Sequence, residues 1–523
     1  MMKTIKSIII FALLAFIGAC DVDYFDNPNA PQTPPTTAVF NDAVEEMVSD
    51  FNDVWFSGRF TMVIMQYWNQ SEYGDEDRYV FRDAQKETWQ EFYWNLENLR
   101  KVIQYNTDED TKDAAAAYGA NVNQIAITRI IMAWSFNILA DTWGDIPYYS
   151  YGSPDDPDFQ ALKLADVDEE ILSPVYAPQS KIYADILKEL DEAAAMIDVN
   201  QAGLESGDNL YHGDMAQWIL FANSLRLRVA LKIRGVNAAL ANQHITDAQS
   251  GGVFTGNADN AAFQYEAKDA NANRYYYNYH VDNRSDFAIG HSFTELLSGE
   301  NLLDTNGVAF ATNPFPGMVD PRIGIFIQPN DSGDYIGMPI VEGSSVSATI
   351  KWESLPGSAI IDVPDWAVTL MEFAEVEFIL SELNGWDQTH YENGVRASME
   401  KWGVPAADID AYVAALPAAS EATVLTQKFI ALYMDPHTAW QEYRRSGYPQ
   451  MIVKPHQNFL INVPKYNEQA KFVFVPLLDV DDLPARMQYP PFEQSLNQVN
   501  RKAAVDKLSN GDNIDSKLWW DVN

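Results

Sequence analysis

Apolar residues recur at three- and four-residue spacing along most of the chain, which is the signature of helices with one buried face. Over 180–197, Ile182, Tyr183, Ile186, Leu187, Leu190, Ala194 and Ile197 fall on a single stripe. Over 213–233, Asp214 is placed to cap the helix, and Met215, Trp218, Ala222, Leu225 and Val229 form its inner face. A third long helix is predicted over 121–140 and ends in TWGDIPYY, where Gly144 suits a helix terminus and Pro147 forbids continuation. Further helices are predicted over 366–383, 391–402, 424–434 and 438–445. Strand-like runs, such as 323–327 and 472–475, are short, so any sheet is small. Irregular stretches rich in Gly, Asn and Pro fill 251–281 and 303–364, and loops of that length are functional or disordered. No repeat has a fixed period, although helix pairs in the first half are spaced to stack like a tetratricopeptide array. The pattern predicts a mainly α body with a loop-rich face and little sheet, onto which the tail Leu518-Trp519-Trp520-Asp521 docks.

The start of the chain reads differently. Lys3 and Lys6 precede a ten-residue apolar run over 8–17, then Gly18-Ala19-Cys20. Ten residues are too few to span a bilayer, which takes about 20, so the run reads as a secretory signal. IGAC is similar to a bacterial lipobox, with Cys20 as the acylated residue, and Cys20 is the single cysteine of the chain. The expected organisation is a signal peptide over 1–19, an acidic and Pro-rich tether over 20–36, and one binding domain over 37–523. Cys20 would fix that domain to membrane lipid without threading it through.

Charge narrows the partners. Lys and Arg total 35 against 74 Asp and Glu, a formal charge of −39. A nucleic acid has to be met by clustered cations, so it is excluded as a partner, and anionic polymers are disfavoured. Arg226, Arg228, Lys232 and Arg234, with Arg444 and Arg445, are the local basic clusters, expected to pair with internal carboxylates. Motifs for covalent chemistry are missing: there is no G-x-S-x-G, no Gly-Lys of a P-loop, no G-x-G, and the seven His are scattered. No cofactor or metal ligand set is indicated. Glu372, Glu375, Glu377 and Glu382 on one predicted helix leave a glycosidase acid pair open, beside the plainer reading of a solvated acidic face.

Eight strings in order then point to one family. They are the Asn-Pro of FDNPNAP after Cys20, DTWGDIPY (141–148), Trp218 with FANSLRLRVALKI, DPR (320–322), YENGVRASMEKWGV (391–404), TQKFIALYMD with AWQEYRRSGYP (426–449), LPARMQYPPFEQSLN (483–497) and LWWD. With them the chain resembles the SusD/RagB family, nutrient-binding outer-membrane lipoproteins of the Bacteroidetes. The resemblance implies four tetratricopeptide-like helix pairs under a ligand-binding loop face, exposure at the cell exterior, no enzymatic activity, and a SusC-like TonB-dependent transporter as partner. The protein would capture oligosaccharide or polysaccharide and pass it to that barrel in nutrient uptake. A peptide ligand in the same role, a surface glycosidase, and a purely structural barrel cap are the alternatives.

Sugar recognition needs flat aromatic faces together with amides and guanidinium groups. Two segments offer this mixture. The first, 66–79, holds Trp68, Asn69, Gln70 and Tyr73; the second, 271–284, holds Arg274, Tyr276 and Asn278. Trp352, in a Gly- and Ser-rich loop, is a third candidate. Because MVIMQYW is apolar enough for a buried helix, Trp68 has a core reading as well.

Overall fold

The periodic segments fold as helices whose ends follow from their caps. The computed structural model describes residues 34–163, 171–204, 206–341, 352–463 and 468–522, so the signal peptide, Cys20 and nearly all of the tether lie outside the described residues. Six long helices, α1 (Thr36–Phe51), α2 (Asp83–Thr107), α3 (Asn121–Trp143), α4 (Gln179–Met196), α5 (Met215–Ile233) and α6 (Ala238–Gly251), pack in succession, α2 on both α1 and α3 and each later helix on the one before. Asp214 caps α5 as its position predicts, accepting from the amides of Ala216 and Gln217. α3 is apolar all round and by length and hydropathy long enough to cross a membrane, yet every side chain from Asn123 to Trp143 is buried. It is the centre of the array, a position where a helix needs no polar face.

A second group, α7 (Phe373–Leu383), α8 (Gln388–Lys401), α9 (Ala406–Ala415), α10 (Glu421–Ala431) and α11 (Pro436–Ser446), continues the helical body, with α7 packed on α5. The fold is mainly α, with tetratricopeptide-like helix pairs. Strands among the described residues form only two-stranded sheets. The pairs used below are β1 (Trp68–Gln70) with β3 (Phe287–Ile289), β2 (Ala261–Phe263) with β4 (Val368–Met371), and β5 (Asn458–Val463) with β6 (Glu468–Val473).

Two predicted elements differ. The helix expected over 366–383 begins at Phe373, because residues 368–371 (VTLM) are buried on both faces as strand β4. A short continuous apolar run does not distinguish a buried strand from a helix. The strand expected over 323–327 is a helical turn, Ile323–Phe326, leading into two strand residues. Arg322 anchors that turn: it is wholly buried, paired with Asp320 at 2.6 Å and hydrogen-bonded to Gln427 at 2.7 Å.

The basic clusters are internal, as a buried cation requires a partner. Arg228 makes a two-pronged pair with Glu375 (2.8 and 2.5 Å), Arg226 pairs with Asp191 (2.8 Å), and Lys232 is bound to Asp141. Arg445 bridges Glu382 and Glu442, whereas Arg444 lies 3.4 Å from the centre of the Trp440 ring. The tail docks as expected: Trp520 is buried, donates to Tyr183 Oη at 2.8 Å, and faces both Lys232 and Arg444. Arg234, at the end of α5, is exposed and meets Asn242 at 3.2 Å.

Candidate functional site

The two aromatic and amide-rich segments, more than 200 residues apart, meet at one end of the β1–β3 pair. The register Trp68↔Ile289, Asn69↔Ala288, Gln70↔Phe287 continues into a bond from Ser71 N to Asp286 O at 2.8 Å. The chain leaving β1 and the chain entering β3 are therefore side by side. Each is braced by a π-helical turn, Val54–Thr61 beneath and Tyr277–Val281 above, joined by Tyr275 Oη donating to Ser57 Oγ at 2.8 Å. Single π turns inside helical segments concentrate at functional sites. Asp53 starts the lower one by accepting from the amides of Trp55 (2.9 Å) and Phe56 (2.6 Å).

The side chains sort into an inner and an outer set. Trp68 has no exposed surface: its indole donates to Tyr433 Oη at 2.9 Å and its ring packs against Tyr275 and Phe287. Asn69 and the Gln70 amide bond Asp77, whose carboxyl is held well above the usual range by burial. Asn278 and Trp352 are buried too, their carbonyls accepting from Arg284 N (3.0 Å) and Asn330 Nδ2 (2.8 Å). Trp68, Asn69, Gln70, Asn278 and Trp352, expected to touch ligand, are enclosed by the core here, whereas a stacking face or an amide that meets ligand is open to it.

The outer set comprises Tyr73, Arg82, Arg284, Tyr276 and His280. Tyr73 is half exposed, at φ +72°, in the left-handed region that is costly for a residue with a Cβ. It is hydrogen-bonded to Arg284, and Arg82 lies 5.9 Å from its ring centre. Arg284 is fixed by Asp286 at 2.6 Å, and Asp286 in turn binds Arg59 below. Tyr276 stacks on His280 with centroids 4.7 Å apart, and the His280 ring meets Asp362 at 2.8 Å. Arg274 is half-buried and faces Glu45 and Asp50 on α1, whose carboxyls burial pushes up and the Arg274 charge opposes in part. Tyr73 and Tyr276 were legible as candidates; His280 and Asp362 were not, since they lie 82 positions apart, and Arg82 was not, since it falls outside both aromatic segments although its partners Tyr73 and Glu76 are near in sequence.

The face presents aromatic rings beside fixed guanidinium donors, which suits non-covalent capture of hydroxyl-rich ligands. The four glutamates of the predicted acidic helix do not form a solvated face. Glu372 pairs with Lys401 (2.5 Å), Glu375 with Arg228, Glu377 with His390 (2.9 Å) and Glu382 with Arg445 (2.6 Å). Each is spent on packing. Among the described residues no group of three His, Cys, Asp or Glu is placed to hold a metal ion.

A helical array carrying such a face defines a class, the binding proteins built on stacked helix pairs. The chain belongs to the SusD-like family: a family model described as "Starch-binding associating with outer membrane" matches residues 28–465, and one described as "Susd and RagB outer membrane lipoprotein" matches 421–521. The family descriptions place its members at the outer membrane. No curated protein matches the chain. Among solved structures, a SusD homologue from Parabacteroides distasonis is similar at 23% identity and TM-score 0.74, covering 93% of this chain and 98% of that one. One from Bacteroides uniformis covers 93% and 99% at 21% identity and TM-score 0.70. A chitin-binding SusD homologue from Flavobacterium johnsoniae covers 93% and 98% at 21% identity and TM-score 0.69. These similarities establish the fold.

Proposed function

We propose that the protein is a cell-surface glycan-binding lipoprotein, anchored through acylated Cys20, that captures oligosaccharide or polysaccharide and delivers it to a SusC-like TonB-dependent transporter. It acts by binding and release, without covalent chemistry. The observation that carries this reading is the outer face of Tyr73, Arg82, Arg284 and the Tyr276–His280 stack on a fold whose family is described as starch-binding. Arg284 and Arg82 supply donors for ring hydroxyls, and the tyrosines supply apolar faces. Arg274 belongs to the same loop and holds it against α1. The surrounding negative charge favours neutral glycans over uronates and sulfates. Since one relative of this fold is named for chitin binding, chito-oligosaccharides are the first probes, followed by α- and β-glucans.

The test is retention: the mature lipoprotein in detergent, on native gels containing neutral or acidic polysaccharides, with calorimetry on oligosaccharides and peptides. Retardation by a neutral glycan, with the polymer left at its original length, supports capture. Shortening of the polymer overturns the non-enzymatic reading, and heat from peptides alone moves the ligand class to peptide. Co-purification with the barrel partner tests delivery separately.

A further inference from the structure

A second aromatic cleft lies away from that face, on the flank of α2. Its volume is about 330 Å³, within the range of small-molecule pockets. Trp94 stands at its mouth with 62% of its surface open, the most exposed tryptophan among the described residues. Leu172 and Leu496, also exposed, line the same opening, so Trp94 belongs to an apolar patch and is not a single stray ring. Tyr93 and Phe492 continue the aromatic wall, and Trp89 closes the floor, held edge-on against Trp143 and Tyr489. Polar groups converge on the same space: Gln90, one helical turn before Trp94, with Glu493 and Asn497 from the C-terminal segment. Glu493 bonds the Tyr176 hydroxyl, and burial pushes its carboxyl up. Leu162, at φ +63°, is a further lining residue in a conformation that costs free energy. An apolar aromatic cleft with a few convergent polar groups and a perturbed carboxyl has the composition of a ligand site.

We propose that this cleft is a second glycan subsite, in which one or two neutral sugar rings stack on Trp94 while Gln90 and Glu493 meet their hydroxyls. The inference rests on the glycan reading of the Tyr73 face. Among the described residues no Lys or Arg lines the cleft, which disfavours an anionic sugar. Trp94 stands twelve residues beyond Arg82, about 18 Å along the α2 axis at 1.5 Å per residue and about a third of a turn around it at 3.6 residues per turn. A polymer can span that distance, so one chain engaging both sites gains through effective concentration, which an oligosaccharide shorter than the span cannot. Long glycans are then held more tightly than short ones.

The experiment is calorimetry and gel retardation on the full lipoprotein in detergent, using neutral oligosaccharides of increasing length and the parent polymer. Trp94→Ala, Trp94→Phe and Tyr73→Ala are compared with the unmodified chain. Two sites per chain for a short oligosaccharide are expected, falling to one in W94A and retained in W94F. Retardation by the polymer falls severalfold in W94A while short-ligand binding at the Tyr73 face is unchanged. Circular dichroism guards against misfolding, which is not expected for so exposed a side chain. Unchanged stoichiometry and unchanged polymer retention in W94A, alongside a loss in Y73A, overturn this inference and leave the first site standing. Absence of glycan binding by the unmodified chain overturns both. Loss of an apolar ligand or of transporter binding in W94A, with glycan binding intact, assigns the cleft to a protein contact and also refutes it.

Discussion

Replacing Glu375 by Ala tests whether the central charges hold the two halves of the helical body together. Glu375 has no exposed surface, and its two oxygens meet Arg228 Nε and Nη2 at 2.8 and 2.5 Å, tying α7 to α5. Asp435 stands 3.8 Å from Arg228, a longer and weaker contact, and Lys428 stands 3.9 Å from Glu375 itself, so the variant leaves two buried cations facing fewer carboxylates. Removing one partner of a buried pair leaves an uncompensated charge, which costs about 3–5 kcal/mol. Glu375→Gln keeps shape and one hydrogen bond and is expected to cost less. Arg228→Met with Glu375→Leu removes both charges and is expected to recover most of the loss, because a packed apolar pair in that position is often neutral or better. The assay is urea unfolding followed by circular dichroism, with Arg228→Met and Glu375→Leu also made singly so that the pair closes a double-mutant cycle. A loss below about 1 kcal/mol in E375A would refute the reasoning, since the arginine would then have to be solvated or already paired elsewhere. The same variant separates packing from catalysis. If Glu375 served a glycosidase, E375A would abolish turnover at little cost in stability, the reverse of what the pairing predicts.

Trp68→Ala is expected to cost about 3–5 kcal/mol in urea unfolding through the cavity it leaves, whereas Tyr73→Ala is expected to change stability by under about 0.5 kcal/mol while weakening glycan retention; the opposite ranking would return Trp68 to the binding face. Removing the docked tail, with Trp520→Ala as the single-residue version, is expected to lower the unfolding midpoint, because Trp520 covers Lys232 and Arg444 and donates to Tyr183. Stability is expected to rise as pH falls from about 8 to about 6.5. Burial, with Glu91, Asp53 and Glu46 nearby and Arg274 opposing, pushes Asp50 up to about 8, while burial pushes Asp53 up to about 7 and Glu295 up to about 7. Unfolded carboxyls titrate near 4, so in that window the folded chain holds protons the unfolded chain has released. Below about 6.5 the buried His291 and His437, both held neutral, work in the other direction. Asp50→Asn is expected to flatten the slope above pH 6.5, and a midpoint that rises from pH 6.5 to 8 would contradict the assignment.

The helices were legible because their stripe spacing and caps are local: Asp214 caps α5 where its position says it should, and α4 begins within one residue of its predicted start. Pairing of the basic clusters was legible as a requirement, since cations in so acidic a core have to be matched, but the partners were not. Arg228 and Glu375 are 147 residues apart, and Lys232 and Asp141 are 91 apart. The candidate site shows the same division. Composition identified both loops, 66–79 and 271–284, and the β1–β3 pair brings them together. Which side chains face out was not readable, because β1 is buried on both faces and strand alternation therefore sorts nothing there. Trp68 turns inward because Tyr433, 365 residues away, satisfies its indole, and an aromatic ring with a buried hydrogen-bond partner gains nothing from facing solvent. Tyr73, five residues further on, finds no such enclosure and is held outward by Arg82 and Arg284. Trp94 follows the same rule from the other direction: it sits on a helix whose periodicity is regular, and its exposure marks a surface kept apolar against the general tendency. Aromatic content in this chain therefore measures core and surface together, and the rings proposed to meet ligand are the few that the ion-paired interior does not enclose.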